Sequence, residues 1–249
     1  MFKIVVFCSN RDTFLKICEN LIKLGILYED IIFADSGFKN REQIIAENRR
    51  QWLLFVDHDC ELTEEVLNIA KKFSHAAFEN SKSQRSQVVA GLYKNRLGSN
   101  IFQLAHNFIA NTWVRQSYKY QGQPPLMLGG IFMVFCSLET WEADISIRWG
   151  AEDKLMAYHL RDAGFDFMLC EELQVYHSTN PSLKHFLRRA FLHGINDVML
   201  IPKNENQFKI SYWLREIGFA NWPLVPLILL HFCIQKVAKL IQTVRQMNK

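Results

Sequence analysis

The chain has 249 residues, of which 49% are hydrophobic, and a formal net charge of +4. This length and hydrophobic content suffice for a full core, so one α/β domain is the default expectation. The charge is too small and too dispersed for nucleic-acid binding, which needs a concentrated basic face. The six cysteines are too scattered for a zinc or redox pair. Because the N-terminus leads straight into a strand pattern, without the features of a signal peptide, we expect a cytoplasmic location.

The first 60 residues alternate between apolar runs and helical patterns. Residues 3–8, 31–34 and 52–56 are typical of short buried strands. The helical pattern after the first strand ends at Gly25, and a second, more polar helical segment precedes the third strand. Strands and helices in this alternation predict parallel βαβ units.

A polar segment follows each of these three strands. In open parallel sheets, ligands bind outside the carboxyl ends of the strands. We therefore expect the three segments to line one crevice. They are Ser9-Asn10-Arg11-Asp12, Asp35-Ser36 and Asp57-His58-Asp59.

The rest of the chain continues the α/β pattern. Helices are predicted over 64–78, from Glu152 to Gly164, and from 181 onward. Strands are predicted over 88–93, 129–136, 167–170 and 174–176. The aromatic-rich stretch 94–125 has no clear period, so we expect an irregular loop that governs substrate choice.

The Asp57-His58-Asp59 segment is a candidate metal site. Its two carboxylates are separated by one residue and follow a strand of five apolar residues, so both can face one cation. Hard oxygen ligands of this kind suit Mg²⁺ or Mn²⁺. An ordinary acidic turn after a strand is an equally good explanation of the segment taken alone.

The segment Trp149-Gly150-Ala151-Glu152-Asp153 directly precedes a predicted helix. Acidic residues at a helix N-terminus can simply complement the helix dipole. The flanking Trp-Gly pair favours a functional role, in which one carboxylate acts as general base on a hydroxyl. Further along, His177 ends a predicted strand and is a candidate third metal ligand or just a polar strand terminus.

The order of these motifs resembles the family-2 glycosyltransferases of the GT-A fold, over residues 2–194. Leu54 to Asp59 resembles the DxD metal motif of that family. Trp149 to Asp153 resembles its W-G-x-E-D element, and Gly129-Gly130 resembles the strand that shapes its acceptor pocket. The resemblance implies a Rossmann-like, mostly parallel central sheet flanked by helices. It divides the chain into a catalytic domain, residues 1–200, and a helical C-terminal extension, residues 201–249.

The resemblance also implies a set of site residues. Asp153 is implied as the catalytic base, with Glu152 beside it on the acceptor. Mn²⁺ or Mg²⁺ is implied at Asp57, Asp59 and His177. The nucleotide-sugar site is implied at Ser9, Asn10, Arg11, Asp35, Asp57, His58 and Arg188. The acceptor site is implied at Gly130, Trp149, Gly150 and Glu152.

The activity implied by the resemblance is transfer of a sugar from a nucleoside diphosphate sugar, expected to be a uridine one, to a hydroxyl. The acceptor is expected to be a glycan or a lipid-linked molecule, as in polysaccharide biosynthesis, and the anomeric centre to be inverted. Two alternatives stay open: a non-catalytic module that binds sugar nucleotides or glycans, and a sugar-phosphate nucleotidyltransferase.

The C-terminal segment is apolar from Phe219 onward, but Pro223 and Pro226 interrupt the run, which falls short of the ~20 residues that cross a bilayer. Further on, apolar residues share one helical face beside basic residues, a pattern typical of a helix on an anionic membrane surface. An ordinary packed helix or a partner-binding helix fits equally well. The apolar residues are Leu229, Phe232, Cys233, Val237, Leu240, Ile241 and Val244.

Overall fold

The described residues form an α/β structure built around one seven-stranded sheet. The computed structural model describes residues 2–8, 10–34, 41–79, 85–119, 125–139, 152–177, 179–200, 213 and 215–247. The strands are β1 (Phe2–Phe7), β2 (Ile31–Ala34), β3 (Trp52–Asp57), β4 (Cys60–Glu61), β5 (Gln87–Lys94), β6 (Ile131–Phe135) and β7 (Asp166–His177). Their order across the sheet is β2-β1-β3-β6-β5-β7-β4.

The sheet is mixed in direction. β1 pairs with β2 and β3 in parallel, and β5 pairs with β7 in parallel. Between these two groups lies β6, which is antiparallel to both β3 and β5. The short β4 is antiparallel to β7 at the edge. The predicted parallel start of the sheet is confirmed, and five of the seven described strands share one direction.

The described helices are α1 (Arg11–Lys23), α2 (Arg41–Glu47), α3 (Glu64–Glu79), α4 (Ile101–Lys119), α5 (Glu152–Asp162), α6 (Leu183–Leu200) and α7 (Val225–Met247). Short 3-10 helices cover Tyr28–Asp30 and Phe219–Leu224. α4 packs against β5 and β7, and α6 packs along α7. Gly25 and Gly164 follow α1 and α5 with φ of 82° and 85°, values that favour glycine, so both predicted helix ends are confirmed.

The core lies on the central strands, where side chains on both faces are buried. β3 and β6 are buried at nearly every position, as expected for strands covered on both sides. Phe55 of β3 stacks on Phe132 of β6 with ring centroids 4.5 Å apart. All six cysteines are free thiols, and only Cys233 is exposed.

Two predictions about the middle of the chain are wrong. Much of the predicted loop 94–125 is the 19-residue helix α4. Its buried face carries polar residues such as Gln103, Asn107 and Gln116, which break the apolar period that the sequence would need to show. The two predicted strands 167–170 and 174–176 are one strand, β7, with a register irregularity opposite residues 90–92 of β5.

The last described helix, α7, begins at Val225 and accommodates Pro226 in its first turn, where proline is tolerated. The prolines therefore do not interrupt it. The segment Phe219–Met247 is 29 residues long and contains an 18-residue window with a mean hydropathy of 1.8, so it is long and apolar enough to cross a membrane by length and composition alone.

Candidate functional site

The candidate site lies at the carboxyl edge of β1 and β3. His58 donates its backbone N–H to the Phe7 carbonyl at the end of β1, at 3.0 Å. On the other side of β3, the Asp57 N–H faces the Gly130 carbonyl at 3.4 Å. The acidic segment after β3 is thus held by backbone bonds between its two neighbouring strands, where the sequence predicts it.

Arg41, the first residue of α2, links two of the predicted acidic residues. Its Nη2 donates to Asp57 Oδ1 at 2.7 Å and to the Gly129 carbonyl at 3.3 Å, and its Nη1 lies 3.7 Å from Asp153 Oδ1. The guanidinium also lies 4.5 Å from the centre of the Phe7 ring. The side chain is almost fully buried, so this cation neutralises the carboxylates from inside the protein.

Gly129 positions Asp153 directly. The Gly129 N–H donates to Asp153 Oδ2 at 3.0 Å. A side chain at Gly129 would collide with the Asp153 carboxylate. The pair Gly129 and Arg41 therefore fixes the Asp153 side chain, which remains partly exposed, at the edge of the sheet.

Asp59 lies against His177, at the far end of the sheet from β2. Because β4 pairs with β7 in the register Cys60 opposite His177, the preceding residue, Asp59, reaches His177. Its Oδ2 lies 3.3 Å from His177 Nε2. The structure therefore brings these two predicted metal ligands together, whereas Asp57 is engaged by Arg41.

The second ring nitrogen of His177 lies in an amide network of α4. His177 Nδ1 is 3.1 Å from the amide nitrogen of Gln103 and 2.9 Å from the amide oxygen of Asn107. Both neutral tautomers of the ring have a hydrogen-bond partner at Nδ1. A protonated Nδ1 donates to the amide oxygen of Asn107, and an unprotonated Nδ1 accepts from the amide nitrogen of Gln103. One tautomer donates Nε2–H to Asp59, and the other presents a free Nε2 lone pair to a cation. The Tyr93 ring stacks on His177 at 4.2 Å.

The charges around Asp59 favour its ionised form. Burial alone raises the pKa of Asp59, but the hydrogen bond with His177 and the electrostatic interactions with His177, His58 and Arg189 outweigh it, so the pKa lies below its usual value. Burial, together with the nearby carboxylates, raises the pKa of the Cys60 thiol well above its usual value. Burial likewise raises the pKa of the Tyr93 hydroxyl.

One group in the described part of the chain has the spacing of a metal site. The ligand atoms of Asp59, Cys60 and His177 lie within 4.8 Å of one another. A carboxylate and an imidazole suit Mn²⁺. The sulfur of Cys60 is a soft ligand, which suits Zn²⁺ better than Mn²⁺ or Mg²⁺. The carboxylate of Asp59 and the imidazole of His177 could therefore hold a divalent cation.

Arg189 of α6 contributes positive charge near Asp59 and His177. Its Nη1 donates to Nε2 of His106 at 3.0 Å, and the His106 ring lies 5.6 Å from that of His177. Burial, followed by the charge of Arg189, holds the pKa of His106 well below its usual value, so the ring is neutral and can accept. Arg188, which the resemblance implies in the nucleotide-sugar site, is exposed. Its neighbour Arg189 is the arginine that turns toward the site.

The other predicted site residues lie as follows. Asn10 caps α1, its side chain accepting from the Asp12 N–H at 2.8 Å, and Arg11 begins that helix on the surface. Gly130 is buried beneath the Tyr93 hydroxyl and the Cys60 sulfur. Glu152 is the first residue of α5. Outside the described residues lie Ser9, Asp35, Trp149 and Gly150.

Sequence reasoning missed Arg41, Tyr93 and the amide pair of α4. Arg41 stands alone in a polar segment, and no periodicity singles it out. Its one sequence signal is its place at the start of a helix that follows a polar strand end. Gln103 and Asn107, four residues apart, share one helix face, but that signal appears only once the segment is known to be helical.

Comparison with known proteins yields little. No protein-family model and no curated protein matches the chain. Among solved structures, one described as the crystal structure of a mycobacterial protein is similar, with 16% identity and a TM-score of 0.47. The alignment covers 82% of this chain and 76% of that one. A likeness at this level carries no functional information.

Proposed function

We propose that the protein is a metal-dependent glycosyltransferase with a GT-A type catalytic domain, which moves a sugar from a nucleoside diphosphate sugar to a hydroxyl. The observation that carries the proposal is the convergence of Asp57 and Asp153 on Arg41. These carboxylates stand far apart in the sequence, yet they share one cation at the carboxyl edge of the sheet. Asp59, which contacts His177, acts electrostatically on the same buried Tyr93 hydroxyl as Asp57 and Asp153.

The described geometry supports a different role for each of these residues in the proposed reaction. Asp153, held by Gly129 and partly exposed, is the base that removes the proton from the acceptor hydroxyl. The hydroxyl oxygen then bonds to the anomeric carbon as the bond from that carbon to the diphosphate breaks, and the diphosphate leaves with the electron pair. Asp59 and His177, with Asp57, would hold a divalent cation whose charge stabilises the departing diphosphate.

The test is release of nucleoside diphosphate from a panel of nucleotide sugars, with Mn²⁺ or Mg²⁺ and with a chelator. We expect metal-dependent release from at least one donor. Asp153→Asn should lower kcat by about a hundred-fold or more, the usual contribution of a general base, and leave donor affinity unchanged. Asp166→Asn, at an exposed carboxylate on β7, is the matched control.

The identity of the released product also distinguishes glycosyl transfer from the alternative functions. Release of pyrophosphate would identify a nucleotidyltransferase instead. Donor binding without any turnover would identify a binding module. Activity of Asp153→Asn within a few-fold of the unaltered protein would remove Asp153 from the role of base.

We propose further that α7 lies on the inner, anionic surface of a cell membrane. One face of α7 is buried on the domain, including His231, Phe232 and Gln235, so Phe232 does not belong to the exposed face. The opposite face exposes Leu229, Leu230, Val237, Leu240, Val244 and Met247. Just before α7, Phe219 and Trp222 are 93% and 63% exposed.

The charges of α7 favour an anionic lipid surface over a second protein as the occupant of that face. The exposed charged residues of the helix are Lys236 and Arg245, and the helix contains no acidic residue. Exposed aromatic residues such as Trp222 suit the headgroup region of a bilayer. The buried face of α7 includes the polar residues His231 and Gln235 and is tied to the domain, which favours a helix lying on the membrane over one that crosses it.

Vesicle flotation tests this orientation. We expect the protein to float with vesicles containing phosphatidylglycerol and much less with pure phosphatidylcholine. The double variant Leu240→Ser/Val244→Ser should lose flotation, whereas Leu97→Ser, at an exposed leucine remote from α7 in sequence, should not. Equal flotation of both variants would contradict the proposal.

A further inference from the structure

A buried ionic network joins three helices behind the candidate site. Asp197 of α6 is only 5% exposed. It accepts from Lys154 Nζ of α5 at 2.6 Å, and from Lys239 Nζ and Gln235 Nε2 of α7 at 2.9 and 2.7 Å. Burial raises the pKa of Asp197, but the two lysines outweigh it and leave the pKa below its usual value. Neither the motifs nor the proposed chemistry accounts for this network.

The α5 end of the network is next to Asp153. Lys154 follows Asp153 directly in the first turn of α5. Its ammonium is largely buried, pairs with Asp197, and lies 4.7 Å from the centre of the Trp113 ring on α4. Because neighbouring residues of a helical turn move as one unit, whatever fixes Lys154 also fixes the backbone that carries Asp153.

The α7 end of the network is set by close helix packing. At Gly194 of α6, a side chain would collide with the backbone carbonyl of Gln235 and the side chain of Ala238. The two helices therefore approach closely at this point, and the register of α7 along α6 is restricted to one that brings Gln235 and Lys239 to Asp197. Packing of α7 onto α6, which we call the seating of α7, therefore supplies the remaining partners of the buried Asp197 carboxylate.

We propose that Asp197 is a positioning residue that couples the seating of α7 to the placement of Asp153. Asp197 needs both lysines, because a buried carboxylate with too few partners is strongly disfavoured. With Lys239 in place, Asp197 holds Lys154 and hence the start of α5. The C-terminal helix is then part of the active structure, and its binding to a membrane can adjust catalysis. The inference rests on the proposed function in taking Asp153 as the base.

The test compares two lysines of α7 in the full-length protein. Lys239→Met keeps the side-chain length but removes the cation from Asp197, and Lys236→Met removes an exposed cation from the same helix. We expect amide hydrogen exchange in residues 156–162 to become about ten-fold faster in Lys239→Met alone. We also expect kcat to fall about ten-fold with the donor KM unchanged, since the base is misplaced and the donor site is intact.

Two further variants keep the test decisive. Lys239→Arg retains the cation and should restore both readouts. Asp197→Asn should reproduce Lys239→Met with a larger effect. If Asp197→Asn fails to fold, Lys239→Met alone decides.

Each outcome separates this inference from the proposed function. Unchanged exchange in 156–162 in Lys239→Met overturns the coupling. Faster exchange with unchanged kcat in an active enzyme overturns the positioning role. If the unaltered protein turns over no donor, the proposed function fails, and hydrogen exchange alone decides whether α7 and α5 are coupled.

Discussion

At the residue scale, the two carboxylates of the Asp57-His58-Asp59 segment have different partners. Asp57 is bonded to Arg41, and Asp59 lies against His177. Each carboxylate has its own positively charged or protonatable neighbour, so the acidic residues can lie close together without a metal ion. A divalent cation that Asp57 also bound would have to displace Arg41 from that carboxylate, so Arg41 would compete with the metal for Asp57.

The buried residue His231 makes the stability of the protein depend on pH. Neither ring nitrogen has a hydrogen-bond partner in the described part of the chain. Burial, followed by the charge of His193, lowers the pKa of His231 to about 3. The ring is therefore neutral in the folded protein and takes up a proton far more readily when unfolded.

The direction in which stability changes with pH follows from the lowered pKa of His231. The stability linked to His231 is fully present above its ordinary pKa of 6.5 and is lost as the pH falls toward 3. We expect His231→Phe to reduce the slope of unfolding free energy against pH by up to about 1.4 kcal/mol per unit between pH 6 and 4. Urea unfolding across that range measures it.

The control for this prediction is His75→Phe, at an exposed histidine of α3. It should leave the slope unchanged. His106, also buried and with a lowered pKa, contributes in the same direction and should keep some slope in the His231 variant. Identical slopes for His231→Phe and the unaltered protein would contradict the prediction.

At the element scale, α4 depends on polar contacts at its start. Asn100 accepts from the Gln103 N–H at 2.8 Å, and its side-chain amide donates to the Pro181 carbonyl at 3.1 Å. The first bond satisfies a free N–H at the helix start, and the second ties α4 to the loop before α6. The same helix supplies Gln103 and Asn107 to His177.

We expect Asn100→Ala to lower the free energy of unfolding by about 1–2 kcal/mol, since it removes both bonds. Asn20→Ala, at an exposed position of α1, should be neutral or slightly stabilising, because alanine has the higher helix propensity. Chemical denaturation of both variants measures the difference. Equal stabilities would show that α4 is held by its packing alone.

The elements that could be predicted from sequence are those with a local signal. β1, β2 and β3 are short apolar runs that end in polar residues, and their parallel pairing follows from the helices between them. Gly25 and Gly164 mark helix ends by their positive φ. α4 could not be predicted, because its buried face is polar and the stabilising contacts come from distant residues such as His177.

At the scale of the whole molecule, the sheet order could not be predicted because it depends on non-local pairing. Nothing in residues 131–135 specifies insertion between β3 and β5 in the opposite direction. The two-residue β4 is likewise too short to recognise, although it brings Asp59 to His177. The same limit applies to the site: Asp57, Asp59 and Asp153 have sequence signals, whereas Arg41 has none that identifies its partners.

The pairing of β4 with β7 has a consequence for the order of assembly during synthesis. Cys60 and His177 are separated by nearly half of the chain, and their contact closes the far edge of the sheet. Such long-range contacts carry a large loop-closure cost and form late in folding. On the ribosome, Asp59 therefore acquires His177 only after β7 has emerged, and a chain arrested before that strand has the acidic segment without its histidine.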